Sequence, residues 1–240
     1  MLQIILFLIF LRIEVGSYRD LKVSLYSHII KDYKTTLKMV LPPTLLILST
    51  ELLKIAYDFL PRETLESIVF NIMSVAVFST LILRKKFLLT QALAIILITS
   101  GLVHFPSVTQ PSVAFSSSLF SNLLAKNDFN GYLLIGTAVA CYGLSFVLLE
   151  KYLKANAVSL WVRGIQLNLF NVPLSLLITS INYYNDELSR GFFENFTIIA
   201  WFFIIFVVAC NMMELFVIKV SDSVFRMISL AVATMIIGIM

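Results

Sequence analysis

Charge is scarce in this sequence. Lysine and arginine (18) with aspartate and glutamate (14) make up 13% of 240 residues, against 59% hydrophobic residues. That leaves too little polar surface to cover a water-soluble globule and excludes an ordinary soluble domain. Only two cysteines occur, Cys141 and Cys210, both inside apolar runs, which argues against a disulfide framework. The two histidines, His28 in a basic stretch and His104 at the end of an apolar run, give no support to a metal site or to nucleophilic catalysis. Eight scattered glycines form neither a phosphate loop nor a dinucleotide fingerprint. The composition thus points away from an enzyme; no catalytic residue, metal ligand or cofactor is implied.

What is present is length and greasiness. Mean hydropathy is +0.93, and a helix needs roughly 20 apolar residues to cross a hydrocarbon core of about 30 Å. Runs near that length lie at about 42–60, 65–83, 87–105, 129–149, 157–181, 196–218 and 224–240, after a shorter one at 2–15. They are continuous rather than alternating, so helices and not barrel strands are expected. The predicted fold class is an all-α polytopic membrane protein with about eight transmembrane helices. The first run would rise only about 21 Å, and it lacks the charged start and small-residue cleavage site of a secretory signal. Residues 106–128, rich in Ser, Pro and Asn, read as a polar linker between a first half at 1–105 and a second at 129–240.

Loop charge sets an orientation. Arg12, Arg19, Lys22, Lys31, Lys34, Lys38, Arg84, Lys85, Lys86, Lys151, Lys154, Arg163, Lys219 and Arg226 fall on one side, and Arg62, Lys126 and Arg190 on the other. Fourteen against three puts the first side in the cytosol and the linker in the lumen. The same rule accounts for the net charge of +4 without a nucleic-acid partner. The Asn195-Phe196-Thr197 sequon falls on the non-cytosolic side at the membrane edge.

Lys54 lies within a run, where Glu51, Lys54 and Asp58 share one helical face. Ionisable groups at that depth face a partner or a water-filled cavity. Two readings stand: a self-neutralised stripe that joins helices, or a cationic site for an anionic substrate with Glu51 setting the position of Lys54. Lys219, Asp222 and Arg226 have the spacing of one helical face at a span end, fitting a snorkelling anchor or a site. Glu214, deeper in that span, needs a partner in space. Asn71 and Gln166 are polar groups near or inside spans, suited to bonds between helices.

The stretch Glu150 to Gln166, EKYLKANAVSLWVRGIQ, sets Glu150, Lys151, Lys154 and Arg163 around Trp161 between two apolar runs. It reads as a charged loop facing cytosolic water, with Arg163 entering the next helix. It also resembles the nucleotide-sugar transporter family, in the group carrying UDP-galactose, UDP-N-acetylglucosamine and CMP-sialic acid. That family has a motif close to EKxLK, a short gap, then SxWxRNxQL. Glu150, Lys151, Lys154, Ser159, Trp161, Arg163, Gln166 and Leu167 match in order, with Gly164 in place of the asparagine. Gly191-Phe192-Phe193 is similar to the family's GFF. VIKVSDSVFR resembles VVKYxDNxxK through Lys219, Asp222 and Arg226, and the segment from Arg84-Lys85 through Gln91 to Gly101 resembles a third motif.

The resemblance implies ten helices in two inverted five-helix repeats with substrate held between them. This chain then corresponds to a truncated version, a first repeat lacking its first helix (1–105) and a second lacking its last (129–240). It implies a Golgi or ER antiporter exchanging a cytosolic nucleotide sugar for a lumenal nucleoside monophosphate across the lipid bilayer, with a homo-oligomer left open. Lys219 is the phosphate-binding lysine that the resemblance retains. The family's QNN aligns near residues 49–51 and its YQLK near 68–71, so its second phosphate lysine is absent. Lys54, paired with Glu51, is the expected replacement, and Asn71 joins them as a candidate substrate contact. Glu150, Lys151, Lys154, Trp161, Arg163, Gln166, Asp222 and Arg226 are expected as cytosolic gate or structural residues. A non-transporting membrane interaction protein and a carrier for a smaller anion are the alternatives.

Overall fold

A computed structural model describes residues 2–60, 70–109, 128–155, 158–185 and 197–239. The expected turn at Pro61-Arg62-Glu63, nearly all of the 106–128 linker, Gly191-Phe192-Phe193 and Asn195 of the sequon lie outside them, as does the side chain of Asp58. Among the described residues the structure is helical: α1 Leu2–Val15, α2 Tyr18–Leu25, a π-helical turn Tyr26–Lys31, α3 Tyr33–Lys38, α4 Leu41–Phe59, α5 Phe70–Ile82, α6 Leu89–Thr109, α7 Asp128–Lys154, α8 Leu160–Asn185, α9 Ile198–Val220 and α10 Ser223–Ile239.

Pro42 and Pro43 sit in the first turn of α4, where a proline's missing N–H leaves no bond unmade. Four segments are long and apolar enough to cross a bilayer: Tyr33–Tyr57, Phe129–Lys154, Leu160–Ile181 and Ile198–Val220. Phe70–Ile82, Leu89–Gly101 and Ser223–Ala233 are apolar but shorter. Among the described residues, then, four helices rather than eight meet the length. The hydrocarbon character is plain on α9, which exposes Ile198, Ile199, Phe202, Phe203 and Phe206, a surface suited to lipid and not to water. Helix α6 runs on to Thr109, past Pro106 where the sequence places the start of the linker; a proline removes one helical hydrogen bond without forcing an end in an apolar helix.

The chain divides into two compact units, each drawn from both halves of the sequence. The first comprises residues up to Thr44 and Tyr152–Val220. In it α1 packs on α8, and α9 packs on both. Phe7 and Leu11 of α1 are buried. Gly164 allows the approach: a Cβ there would lie 2.6–2.8 Å from the Phe7 ring. Trp161 stacks on Phe10 at 4.7 Å between ring centroids and meets Phe7 at 6.0 Å. We expect Gly164→Asn, the residue of the resembled motif, to destabilise by about 1–3 kcal/mol through overpacking. A thermal midpoint in detergent should fall, and Phe7→Ala in the same chain should recover part of the loss.

The second unit comprises Leu45–Lys151 and the residues from Ser221 onward. Here α10 packs on α5 and α6, which also touch each other. Helix α7 is held to α4 by Ser49, whose hydroxyl donates to the Ala138 carbonyl at 2.8 Å. It is held to α5 by Ser74, which donates to the Val139 carbonyl at 2.8 Å. Small hydroxyl residues of this kind are the usual adhesive where helices have no hydrophobic drive to associate.

Two sequence expectations are corrected here. Glu150, Lys151 and Lys154, expected in a loop facing water, are helical, while Trp161, Arg163 and Gln166 lie in the helix that Arg163 was expected to enter. The first three end α7 and the others open α8, and Glu150 and Arg163 are buried. Glu150 is met by Lys85 and Ser223, whereas Arg163 donates from Nη1 to Gln166 and its Nε and Nη2 have no hydrogen-bond partner among the described residues. Nor do Lys219, Asp222 and Arg226 lie on one helix, because α9 stops at Val220 and α10 starts at Ser223. Asp222 caps the new helix, its Oδ1 accepting the Phe225 N–H at 2.7 Å.

Candidate functional site

Within the second unit, the polar groups of α4 and α5 come to a common level along α7. As α4 runs from Ser49 to Leu60, its contacts on α7 recede from Ala138 to Ile135 and Gly131, so the two helices are antiparallel. Along α5 and the segment after it, contacts advance from Val139 at Ser74 to Glu150 at Lys85, so α5 is parallel to α7. Glu51 lies two residues after Ser49, a displacement of about 3 Å along the helix, and Asn71 three before Ser74, about 4.5 Å. Both displacements run toward the start of α7. Glu51 and Asn71 therefore share a level within one helical turn.

The Glu51 carboxylate and the Lys54 ammonium are paired at 2.7 Å. Residue 50 is the midpoint of α4, and helical side chains lean toward the N-terminus, so the Lys54 charge is drawn back to the middle of the helix. The Lys54 side chain is 62% exposed and that of Glu51 28%. Asn71 is buried, and its Oδ1 has no hydrogen-bond partner among the described residues. An acceptor left unmet in a buried position calls for a water or a ligand group. Together these residues offer one compensated cation, one anion and one spare amide oxygen, a set able to meet a polar solute.

Lys219 lies in the first unit, half-buried at the end of α9, with its ammonium donating to the Val158 carbonyl at 3.1 Å. Glu214, also half-buried on α9, is engaged rather than free.

The motif residues build two buried polar centres. In the first unit, Ser159 caps α8, its hydroxyl accepting the Trp161 N–H at 3.4 Å and donating to Glu14 of α1. The Arg163 guanidinium, 1% exposed, donates from Nη1 to Gln166 Oε1 at 3.0 Å. The Gln166 amide in turn donates to the His28 carbonyl at 2.8 Å and the Thr36 hydroxyl at 3.0 Å. The motif thereby fastens α8 to the π-helical turn and α3.

In the second unit the centre is Glu150, with 0% exposure. Its Oε1 accepts from the Lys85 ammonium at 2.6 Å. Its Oε2 accepts the Ser223 backbone N–H at 2.9 Å and hydroxyl at 2.6 Å. Lys85 also reaches Asp222 Oδ2 at 3.2 Å. Two carboxylates thus sit at the N-terminus of α10, where the helix dipole favours them, and the lysine offsets their repulsion. Arg84, at φ 52, takes the left-handed turn that delivers Lys85. Arg226 lies over the Phe146 ring, 3.9 Å from its centroid, and donates to the Tyr142 hydroxyl at 3.4 Å. Lys151 and Lys154 are exposed at the end of α7.

Ser223, Tyr142, Phe146 and Thr36 were not singled out by the sequence, and Lys85 enters there only as loop charge and as part of a resembled segment. Arg84-Lys85-Lys86 gave a signal, but of membrane-edge charge; nothing local ties Lys85 to a glutamate 65 positions away.

A cavity of about 220 Å³ adjoins this centre, lined by Phe87, Gln91, Ile95, Asp222 and Phe225 among others. It is smaller than the roughly 300 Å³ at which small-molecule sites begin, too small for a nucleotide bearing a sugar.

Comparison with known proteins bears on these residues. A family model described as nucleotide-sugar transporter matches residues 1–240. The chain is 28% identical over 215 residues to the UDP-N-acetylglucosamine transporter of Homo sapiens, covering 88% of this chain and 63% of that protein. It is 27% identical over 199 residues to the UDP-N-acetylglucosamine/UDP-N-acetylgalactosamine transporter nstp-4 of Caenorhabditis elegans, covering 80% and 56%. To the UDP-galactose translocator of Mus musculus it is 25% identical over 212 residues, covering 88% and 53%. The chain thus spans between about half and two thirds of the length of these relatives.

Proposed function

The chain belongs to the nucleotide-sugar transporter family, and from that premise we propose that it carries a uridine diphosphate sugar across a Golgi or ER membrane in exchange for a nucleoside monophosphate. The match across all 240 residues carries the reading, and relatives named for UDP-N-acetylglucosamine and UDP-galactose supply the substrate class. No covalent chemistry is part of it. Two repeats, 1–105 and 129–240, with eight spans between them, would alternate access around a midplane site.

Phosphates lose most of their hydration on entering a membrane-embedded site, and that loss is offset only by cations placed to receive them. Lys219, carried by the matched motif, is one such cation. Lys54, near the middle of α4 in the other unit, is a second candidate, put forward on the geometry of its own unit. Asn71, with its unmet acceptor, suits a hydroxyl or amide of the sugar or base. Glu150, Arg163 and Gln166 hold the helices that position these groups.

In proteoliposomes loaded with nucleoside monophosphate, Lys219→Ala and Lys54→Ala are each expected to raise KM for labelled UDP-N-acetylglucosamine by about tenfold or more, the worth of a charge-assisted hydrogen bond. Loss of transport in Lys219→Ala with unaltered kinetics in Lys54→Ala would remove Lys54 from phosphate recognition.

A further inference from the structure

Resting on the reading that this chain carries a phosphate-bearing nucleotide, we propose that Glu51 is the resident counter-ion of Lys54: it keeps the middle of α4 neutral when no substrate is bound, so that the empty carrier reorients and net uptake accompanies exchange.

The geometry separates this role from the two simpler ones. A pair that glued helices together would be buried between them, yet the Lys54 side chain is 62% exposed. The bonds joining α4 and α5 to α7 at this level are made instead by Ser49 and Ser74. A lysine anchored at the membrane surface would extend toward water at a helix end, whereas Lys54 leans back one turn to meet Glu51 at 2.7 Å near the helix midpoint. An exposed ion pair at that depth faces a polar path rather than lipid.

Neutrality then governs the transport cycle. With no substrate, Glu51 and Lys54 sum to zero, so this pair adds no net charge to the site as it crosses the barrier between its two openings. When a phosphate arrives, it takes the ammonium from Glu51. The carboxylate is left facing an anion, so it weakens substrate binding as it frees the lysine. Exchange uses only loaded carriers and does not depend on the empty return; net uptake does.

The test compares zero-trans net uptake with exchange in the same proteoliposomes. Glu51→Gln leaves an uncompensated ammonium in the empty carrier, and the ratio of net uptake to exchange is expected to fall at least about tenfold, given the cost of a lone charge at a helix centre. KM for the nucleotide sugar is expected to fall as well. Glu51→Asp keeps the charge and should keep the ratio within about threefold of the parent, well short of the lone-charge effect. Glu51→Gln with Lys54→Met removes both charges and should restore the ratio while raising KM. An unchanged ratio in Glu51→Gln, an equal loss in Glu51→Asp, or a double variant as impaired as Glu51→Gln would each overturn the proposal. Absence of exchange by the parent protein would instead overturn the transport reading beneath it.

Discussion

Glu150→Ala is expected to lower stability by about 3–5 kcal/mol, the cost of leaving a buried ionic partner uncompensated. The carboxylate is fully enclosed, and its removal strands three donors at once: the Lys85 ammonium, the Ser223 N–H and the Ser223 hydroxyl. Lys85 keeps Asp222 as a second partner at 3.2 Å and is partly exposed, which places the effect toward the lower end. A thermal midpoint in detergent should fall by roughly 6 °C or more. Glu150→Gln preserves the shape and one acceptor and should lie between. Replacing both partners, Glu150→Leu with Lys85→Leu, should recover part of the loss, since no unpaired charge is left behind. A double variant less stable than Glu150→Ala would contradict this account of the centre.

Gly143→Val carries the second large effect. A Cβ at Gly143 would stand 2.8 Å from the backbone carbon of Ser74 and nearer still to its hydroxyl. Backbone cannot swing aside as a side chain does, so α5 must move from α7. We expect about 1–3 kcal/mol from overpacking and about 1 kcal/mol more from the lost Ser74–Val139 hydrogen bond. At Gly136 on the same helix, an added Cβ would meet nothing within 4 Å. Gly136→Ala should therefore be neutral or stabilising by up to about 1 kcal/mol, as alanine replaces glycine in a helix. The contrast is read from thermal midpoints of the two variants; equal behaviour would show that the α5–α7 approach is looser than described.

How far the sequence discloses this structure depends on the distance over which each interaction acts. Helices announce themselves through apolar runs, and the Glu51–Lys54 pair through its spacing of three, because both are local. The capping of α10 by Asp222 is missed, because the spacing of Lys219, Asp222 and Arg226 taken alone favours one continuous helix. The partners of Glu150 lie 65 and 73 positions away, and those of Gln166 lie 138 and 130 away. No local periodicity encodes such pairings, so Glu150 reads as part of a solvated loop when it is buried, and Gln166 reads as a bond between helices without its partners being named. The resembled motif proves to be a fastening between helices, and the residues proposed for substrate stand elsewhere, on α4, α5 and the end of α9.

The central claim is that this chain moves a nucleotide sugar through the bilayer. Its most direct measurement is uptake of labelled UDP-N-acetylglucosamine by proteoliposomes containing the purified chain, with and without uridine monophosphate inside. The account predicts saturable uptake that internal uridine monophosphate accelerates. Uptake no greater than that of protein-free liposomes, with or without internal nucleotide, would contradict it.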